Sequence, residues 1–519
     1  MNKQNKITNS VVLVMGMTVF SLLFSFVKEA VFAHFYGASH TTDAYTIAVQ
    51  IPTTLFAMLS VAISNVALPY YSKKLNSEGK EAARAYASNL MTVITLIALL
   101  LILVLEIFSG AAIKLFAPGL EPEAEKTAVL LFRLILPTVL LTQLININTA
   151  ISDVNKSFVL PLFGSVILNA IYISAVCFLA QTAGIYAAVL GVIVGTVVEF
   201  AYSVLLRRRF VKYRLICNLA DKDMIGSVKR ATPVFIGIGV AEINKTIDTM
   251  ISSFLSAGAV SMMNYASKLT SAVSSLLIGG ITKVVYPEFA ECAAKEDEKG
   301  MAESYLYSVK LTVLILFAVI TGGALLNREI ICLVYFRGAF DIQAVFGTAP
   351  IFTAYLTCLI FSALRQNSAR VFYSYGDTKT PMINTFLGMV MNIALNLAVY
   401  RTFGAVGIAW ATTATNMVVA GLLMVRLRKK NTQIHFRQLL PLLLKVAAAT
   451  LCMAAVIAAG RYGLKLLGLY ELTSFVHNGA FTCVAVIFGA MVYFGVLLLL
   501  KTSEVTALAK AFLPKKAKR

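Results

Sequence analysis

KSFVLPLFGSVILNAIYISAVCFLAQTAGIYAAVLGVIVGTVVEFAYSVLLRRR at 156–209 and KTPMINTFLGMVMNIALNLAVYRTFGAVGIAWATTATNMVVAGLLMVRLRKK at 379–430 are two copies of one pattern. They align without a gap: Lys156 meets Lys379, Asn169 meets Asn392, Gly184-Ile185 meets Gly407-Ile408, and Ala188 meets Ala411. Each copy holds two apolar runs long enough to cross a bilayer of roughly 30 Å, and each ends in a cluster of arginines and lysines. An earlier pair, Leu68-Pro69-Tyr70 and Tyr286-Pro287-Glu288, falls at nearly the same offset. The chain therefore repeats a large unit, and the unit is made of membrane helices.

Working outward, apolar runs recur at 7–34, 43–69, 86–110, 126–150, 158–180, 185–206, 227–255, 261–289, 304–326, 345–373, 381–401, 405–427, 438–460 and 474–500. This predicts an all-α integral membrane protein of about fourteen transmembrane helices. Six spans precede six similar ones, and an even number per unit gives both copies the same orientation, the parallel type of repeat. The expected organisation is an N-terminal lobe over 1–215, a C-terminal lobe over 216–430, and two unpaired helices with a basic tail over 431–519. Loops are expected at 111–125, 327–344 and 461–473. The run Val11–Val27 is too long for a signal-peptide core and lacks a small-residue cleavage site, so it is read as the first span.

Composition agrees. Of 519 residues, 59% are hydrophobic and 13% charged, against about 45–50% and 25% in soluble domains. The net charge of +20 is not a nucleic-acid signature, because the basic residues crowd into short loops. Arg207, Arg208, Arg209, Lys212 and Arg214 form one group, Arg426, Arg428, Lys429 and Lys430 another, and Lys515, Lys516, Lys518 and Arg519 end the chain. All three fall on one side of the predicted topology, which places both termini in the cytoplasm. The seven cysteines form no CxxC pair and the four histidines no metal-ligand spacing, so neither a disulfide framework nor a metal site is expected.

Charges inside the spans carry the functional reading, since one near the bilayer centre costs at least about 2.5–3.5 kcal/mol. Lys28 and Glu29 lie in the first span and Asp43 opens the second. Glu242, Asn244, Lys245 and Asp248 lie in the seventh, Lys268 in the eighth, Arg365 and Arg370 in the tenth. Lys28 and Lys268 occupy matching ends of the two repeats, each roughly 10 Å from the outer surface at 1.5 Å per residue. Cations at two depths suit an anionic head group. Lys28 with Glu29 can also simply pair, Arg370 can anchor at the interface, and Glu242, Lys245 and Asp248 can form either a self-neutralising triad or an ion-coupling site. Asn392 with Asn396, and Gln143 with Asn146, share helix faces and are expected to hydrogen-bond between helices.

The same residues resemble a family, the MurJ (MviN) lipid II flippases of the MOP exporter superfamily, over essentially the whole chain. The markers are Phe35-Tyr36-Gly37-Ala38 with Thr42-Asp43-Ala44-Tyr45, Arg133-Leu134-Ile135-Leu136-Pro137, and Lys156-Ser157-Phe158-Val159-Leu160-Pro161. Further on come Glu242-Ile243-Asn244 with Asp248, Gly258-Ala259-Val260-Ser261, and Asn264-Tyr265-Ala266-Ser267-Lys268-Leu269. The most specific is Arg370-Val371-Phe372-Tyr373 followed by Gly376-Asp377-Thr378-Lys379-Thr380-Pro381. The resemblance implies two six-helix lobes around a cavity and two last helices lining a groove for a lipid tail. It implies a substrate-binding set of Lys28, Glu29, Asp43, Lys268, Arg365 and Arg370, with Glu242, Asn244, Lys245 and Asp248 as ion-coupling or structural residues.

Two departures stand out: Leu22, and Phe56-Ala57, occupy positions where the family often has basic residues. The implied activity is translocation of a polyprenyl-pyrophosphate-linked peptidoglycan precursor for cell-wall synthesis, from the inner to the outer leaflet of a bacterial cytoplasmic membrane. It would proceed by alternating access, as a monomer, without a cofactor, coupled to membrane potential, Na+ or H+. The competing readings are a flippase for an O-antigen or exopolysaccharide lipid intermediate, a multidrug–cation antiporter, and an integral-membrane glycan ligase or polymerase.

Overall fold

The computed structural model describes residues 3–62, 68–155, 157, 159–218, 221, 226, 239, 242–244 and 246–506. Every regular element among them is helical. In chain order they are α1 Lys3–Tyr36, α2 His40–Ala62, α3 Leu68–Ser77, α4 Lys80–Ile107, α5 Ser109–Phe116, α6 Pro122–Val154, α7 Val159–Ala183 and α8 Tyr186–Arg207. Then follow α9 Ala259–Ala294, α10 Glu298–Leu325, α11 Asn327–Tyr335, α12 Ile342–Ser374, α13 Lys379–Lys430, α14 Leu440–Leu466 and α15 Phe475–Leu499. Residues 246–252 are also helical. Among the described residues, nine helices are long and apolar enough to cross a membrane.

The burial pattern is that of helices solvated by lipid. In α4 the polar first half is packed: Ala83, Tyr86, Ala87, Leu90, Met91, Val93 and Ile94 are all under 8% exposed. Its second half turns Leu96, Ile97, Leu99, Leu100, Leu101, Leu103 and Val104 outward. Leucines on every side of one helix would be an aggregation hazard in water. In hydrocarbon they cost nothing, because a helix satisfies its own backbone polar groups.

The chain forms two compact units, Met1–Ser261 with Arg337–Phe340, and Met262–Phe336 with Asp341–Arg519. In the first, α6 is central and packs on α2, α4 and α8, while α7 packs on α8 and α1. Ser21 and Ser165 hydroxyls meet at 2.7 Å between α1 and α7. Residues 337–340 join this unit through the Ala339 N–H, which donates to the His34 carbonyl at 2.8 Å. In the second unit α12 packs on α10, α11 and α13, and the α14–α15 pair docks on α10 and α11.

α13 is a helical hairpin. Gly404 at φ 56°, ψ −145° breaks the helical path, a conformation that a side chain excludes. Asn392 Nδ2 on one arm then donates to Thr412 Oγ1 on the other at 3.2 Å. Asn396 Nδ2 donates within its own arm, to Asn392 Oδ1 at 3.0 Å, while Gln143 and Asn146 make the expected bonds between helices. Ser60 Oγ donates to Gln143 Oε1 at 2.9 Å and accepts from Asn146 Nδ2 at 3.0 Å.

Two of the expected loops are corrected. Segment 111–125 begins inside α5, and 327–344 contains α11. Both are helices of little more than two turns, too short to register as spans.

Candidate functional site

Lys28 lies eight residues before the end of α1 at Tyr36, and Lys268 nine residues after the start of α9 at Ala259. Each belongs to a different compact unit, so their surroundings are separate.

In the first unit the Lys28 ammonium sits 3.9 Å from Glu29 Oε1 and 5.3 Å from the centre of the Tyr172 ring. Its side chain is 23% exposed against 10% for that of Glu29. The Tyr172 hydroxyl meets that of Tyr45 at 3.4 Å, and Phe32 packs on Tyr45 at 4.9 Å. A cation held by one carboxylate and one ring face keeps part of its surface open for an anion. Sequence reading missed Tyr45 and Tyr172. The available signal was their register: both lie in spans, and tyrosine inside a span needs a partner for its hydroxyl.

Asp43 has a different place. Its Oδ2 accepts from the Gly258 N–H at 2.7 Å, and its Oδ1 accepts from the Ser261 N–H at 2.7 Å and the Ser261 hydroxyl at 2.6 Å. The carboxylate is 4% exposed. These are the orphan donors at the start of α9, and a negative charge there also complements the helix dipole. Gly258, at φ +80°, brings the turn so close that an added Cβ would lie 2.8 Å from the Ala38 carbonyl oxygen. Beside it, Gln50 Nε2 donates to Thr249 Oγ1 at 2.8 Å. Asp43 thus fastens the start of α2 to the start of α9.

Glu242, Asn244 and Asp248 are half-buried in the same unit, and Asn244 Oδ1 is buried without a hydrogen-bond partner. Lys245 lies outside the described residues, and with it the proposed triad.

In the second unit Lys268 is exposed. Arg365 and Arg370 are half-buried on α12; five residues apart, they point about 140° from one another. Arg365 Nε is buried with no hydrogen-bond partner. The Arg370 guanidinium lies 5.3 Å from the Tyr286 ring centre, a stacking contact that leaves its in-plane donors available. At the departures from the family pattern, Phe56 is 1% exposed and packs on Ala98 and Val139, so this position belongs to the apolar core.

The last two helices carry a groove of about 440 Å3 lined by Val456, Gly460, Leu464, Phe481, Val484 and Phe488 among others, apolar throughout. They are fastened at one end by a polar knot. Glu329 on α11, 1% exposed, takes Arg461 Nη2 at 2.8 Å and the Tyr470 hydroxyl at 2.8 Å on the same oxygen. Asn478 Nδ2 donates to its backbone carbonyl at 3.1 Å.

Two packed helical units, charges inside their helices and an apolar groove on the last two helices are the features of a membrane transporter. A family model described as "Lipid II flippase MurJ" matches residues 32–479, and the chain belongs to that family. Among curated relatives, the "Probable lipid II flippase MurJ" of Rickettsia prowazekii is 24% identical over 412 residues, covering 78% of this chain and 81% of that one. The "Lipid II flippase MurJ" of Burkholderia cenocepacia is 26% identical over 429 residues, covering 80% and 83%. Among solved structures, an inward closed lipid II flippase MurJ superposes with a TM-score of 0.77 at 23% identity, covering 94% of this chain and all of that one. An inward-facing multidrug resistance MATE transporter superposes at 0.69 with 14% identity over 82% of this chain. These structural likenesses establish the fold.

Proposed function

We propose that this protein flips lipid II, the polyprenyl-pyrophosphate-linked peptidoglycan precursor, across the bacterial cytoplasmic membrane by alternating access. The observation that carries the reading is Lys28: a cation kept inside a membrane helix by Glu29 and Tyr172. The pyrophosphate binds Lys28 and Lys268, and Arg365 and Arg370 receive the head group on its way in. Asp43 acts through the Gly258–Ser261 turn that it holds, and Glu29 tunes Lys28. The polyprenyl tail stays in the apolar groove of α14 and α15. Both termini are cytoplasmic, the protein works as a monomer, and an inside-negative potential favours outward movement of the anion by about 2.3 kcal/mol per charge per 100 mV.

A flippase for another lipid-linked glycan is the second reading, and Phe56 favours it. Where the family often carries a cation, this chain packs an aromatic ring into the core, so fewer charges meet the head group. The deciding experiment is replacement of the resident lipid II flippase in a host bacterium. Growth and normal cell shape are the expected result. Lysis of cells that contain the protein in their membrane, together with restored export of an O-antigen intermediate in a strain lacking that flippase, would establish the second reading instead.

A further inference from the structure

Three helices of the first unit, α6, α7 and α8, enclose a small polar cavity near the end that carries Arg207–Arg209. Its polar lining is Asn148, Thr149, Ser152, Glu199, Tyr202 and Ser203, with Gly164, apolar neighbours and no basic side chain. Its free space is about 10 Å3, room for one water-sized body.

The hydrogen-bond directions leave the side-chain oxygens of Asn148 and Ser152 as acceptors. The Ser152 hydroxyl proton goes to the Asn148 carbonyl at 2.9 Å. That of Ser203 goes to the Phe200 carbonyl at 2.8 Å, and Asn148 Nδ2 is spent on Ser203 Oγ at 2.9 Å. Asn148 Oδ1 is left with no partner, although the residue is only 2% exposed. Glu199, half-buried in the middle of a membrane helix, has no hydrogen-bond or ion-pair partner among the described residues. Gly164 makes its berth: an added Cβ there would lie 3.1 Å from Glu199 Oε1. A buried acceptor and an intramembrane carboxylate are each costly unless something meets them.

We propose that this cavity binds one small monovalent cation of the Na+ class, with Glu199 supplying the charge and Asn148 Oδ1 and the Ser152 oxygen the neutral ligands. Oxygen donors suit a hard cation, and a site with one carboxylate lacks the charge that a divalent ion draws on. The space of a single water excludes an organic cation. A bound ion joins α6 and α8, which supply its ligands, and Gly164 of α7 closes the wall.

The test uses the full chain in lipid nanodiscs without any lipid-linked glycan, so its outcome is independent of the lipid II reading. Binding of radioactive 22Na+ is titrated at constant ionic strength, with choline as the replacement cation, for wild type, Glu199→Gln and Gly164→Ala. Wild type should bind Na+ saturably. Glu199→Gln, which keeps shape but removes charge, should lose one equivalent or weaken it at least about tenfold, the equivalent of 1.4 kcal/mol. Gly164→Ala, which leaves every ligand in place and crowds the carboxylate, should weaken it as well. If Glu199→Gln does not give monodisperse protein, Gly164→Ala decides. Absent Na+ binding in wild type, or identical titrations in wild type and the monodisperse variants, overturns the proposal.

Discussion

A lysine in a membrane helix keeps its charge only if something replaces water around it. For Lys28 the replacements are Glu29 and the face of Tyr172, and neither is a bidentate partner. Lys28→Ala is therefore expected to abolish transport, at least tenfold in the appearance of lipid II on the outer face, while Lys28→Arg keeps most of it. Equal transport by Lys28→Ala and wild type, at equal amounts in the membrane, would remove this residue from the site. Asp377 offers a pH-dependent counterpart outside the spans. The Thr380 N–H donates to its Oδ1 at 3.0 Å, the Thr380 hydroxyl to Oδ2 at 2.8 Å, and Lys430 lies 3.6 Å away. The Thr380 backbone bond, followed by the side-chain bond and Lys430, holds its carboxyl below the ordinary carboxylate range. A lowered folded value means that this contribution is intact above about pH 4 and is lost as pH falls through the folded value. Thermal melts between pH 5 and 3 should show a smaller loss for Asp377→Asn than for wild type.

At the scale of elements, the α14–α15 pair is held by the Glu329 knot as well as by apolar packing. Glu329→Ala removes the carboxylate that meets both Arg461 and Tyr470, and a hydrogen-bonded charge of this kind contributes about 2 kcal/mol. The expected result is a melting temperature lowered by several degrees and faster proteolysis between α14 and α15. The same pair should be the site of tail contact. A photo-reactive polyprenyl substrate should label residues around Val456–Leu467 and Phe481–Phe488, and truncation after Lys430 should leave an inserted core unable to handle the long-chain lipid. Labels confined to α1–α13 would make these helices structural instead. Gly404 belongs here too: a side chain at its backbone angles costs roughly 1–3 kcal/mol, so Gly404→Ala should weaken the α13 hairpin, which circular-dichroism melts would register.

For the whole molecule, the basic clusters predict one orientation. Single cysteines placed near residue 3, near 212 and near 503 should be labelled from the cytoplasmic side. Cysteines at 117–121 and 468–473 should be labelled from outside. The two termini reacting from opposite sides would mean an odd number of spans and would break the parallel-repeat argument. At this scale the all-helical, membrane-spanning character was legible in the sequence, because membrane solvation acts on composition and order, not on contacts. Within the spans legibility fell off. The repeat pointed to Lys28 and Lys268, but Tyr172, which lies against Lys28, is 144 residues away in the chain and is brought there only by the packing of α7 on α1.

The sequence alone determined that this is a helical membrane protein, which charges stand in its apolar runs, and which family it belongs to. Those properties follow from hydrophobic run length, charge placement and motif order, which the chain carries locally. The tertiary structure decided what each charge does. Asp43 and Lys28 look alike as isolated intramembrane charges, yet one carboxylate is fully occupied by the donors at the start of α9 and the other group is a half-open cation on an aromatic wall. Glu199 did not stand out in the sequence and became a candidate ligand only when Asn148, Ser152 and Gly164 closed around it. The reason is that the cost of a charge in hydrocarbon is set by the few atoms within hydrogen-bond reach, and those atoms come from helices far apart in the chain.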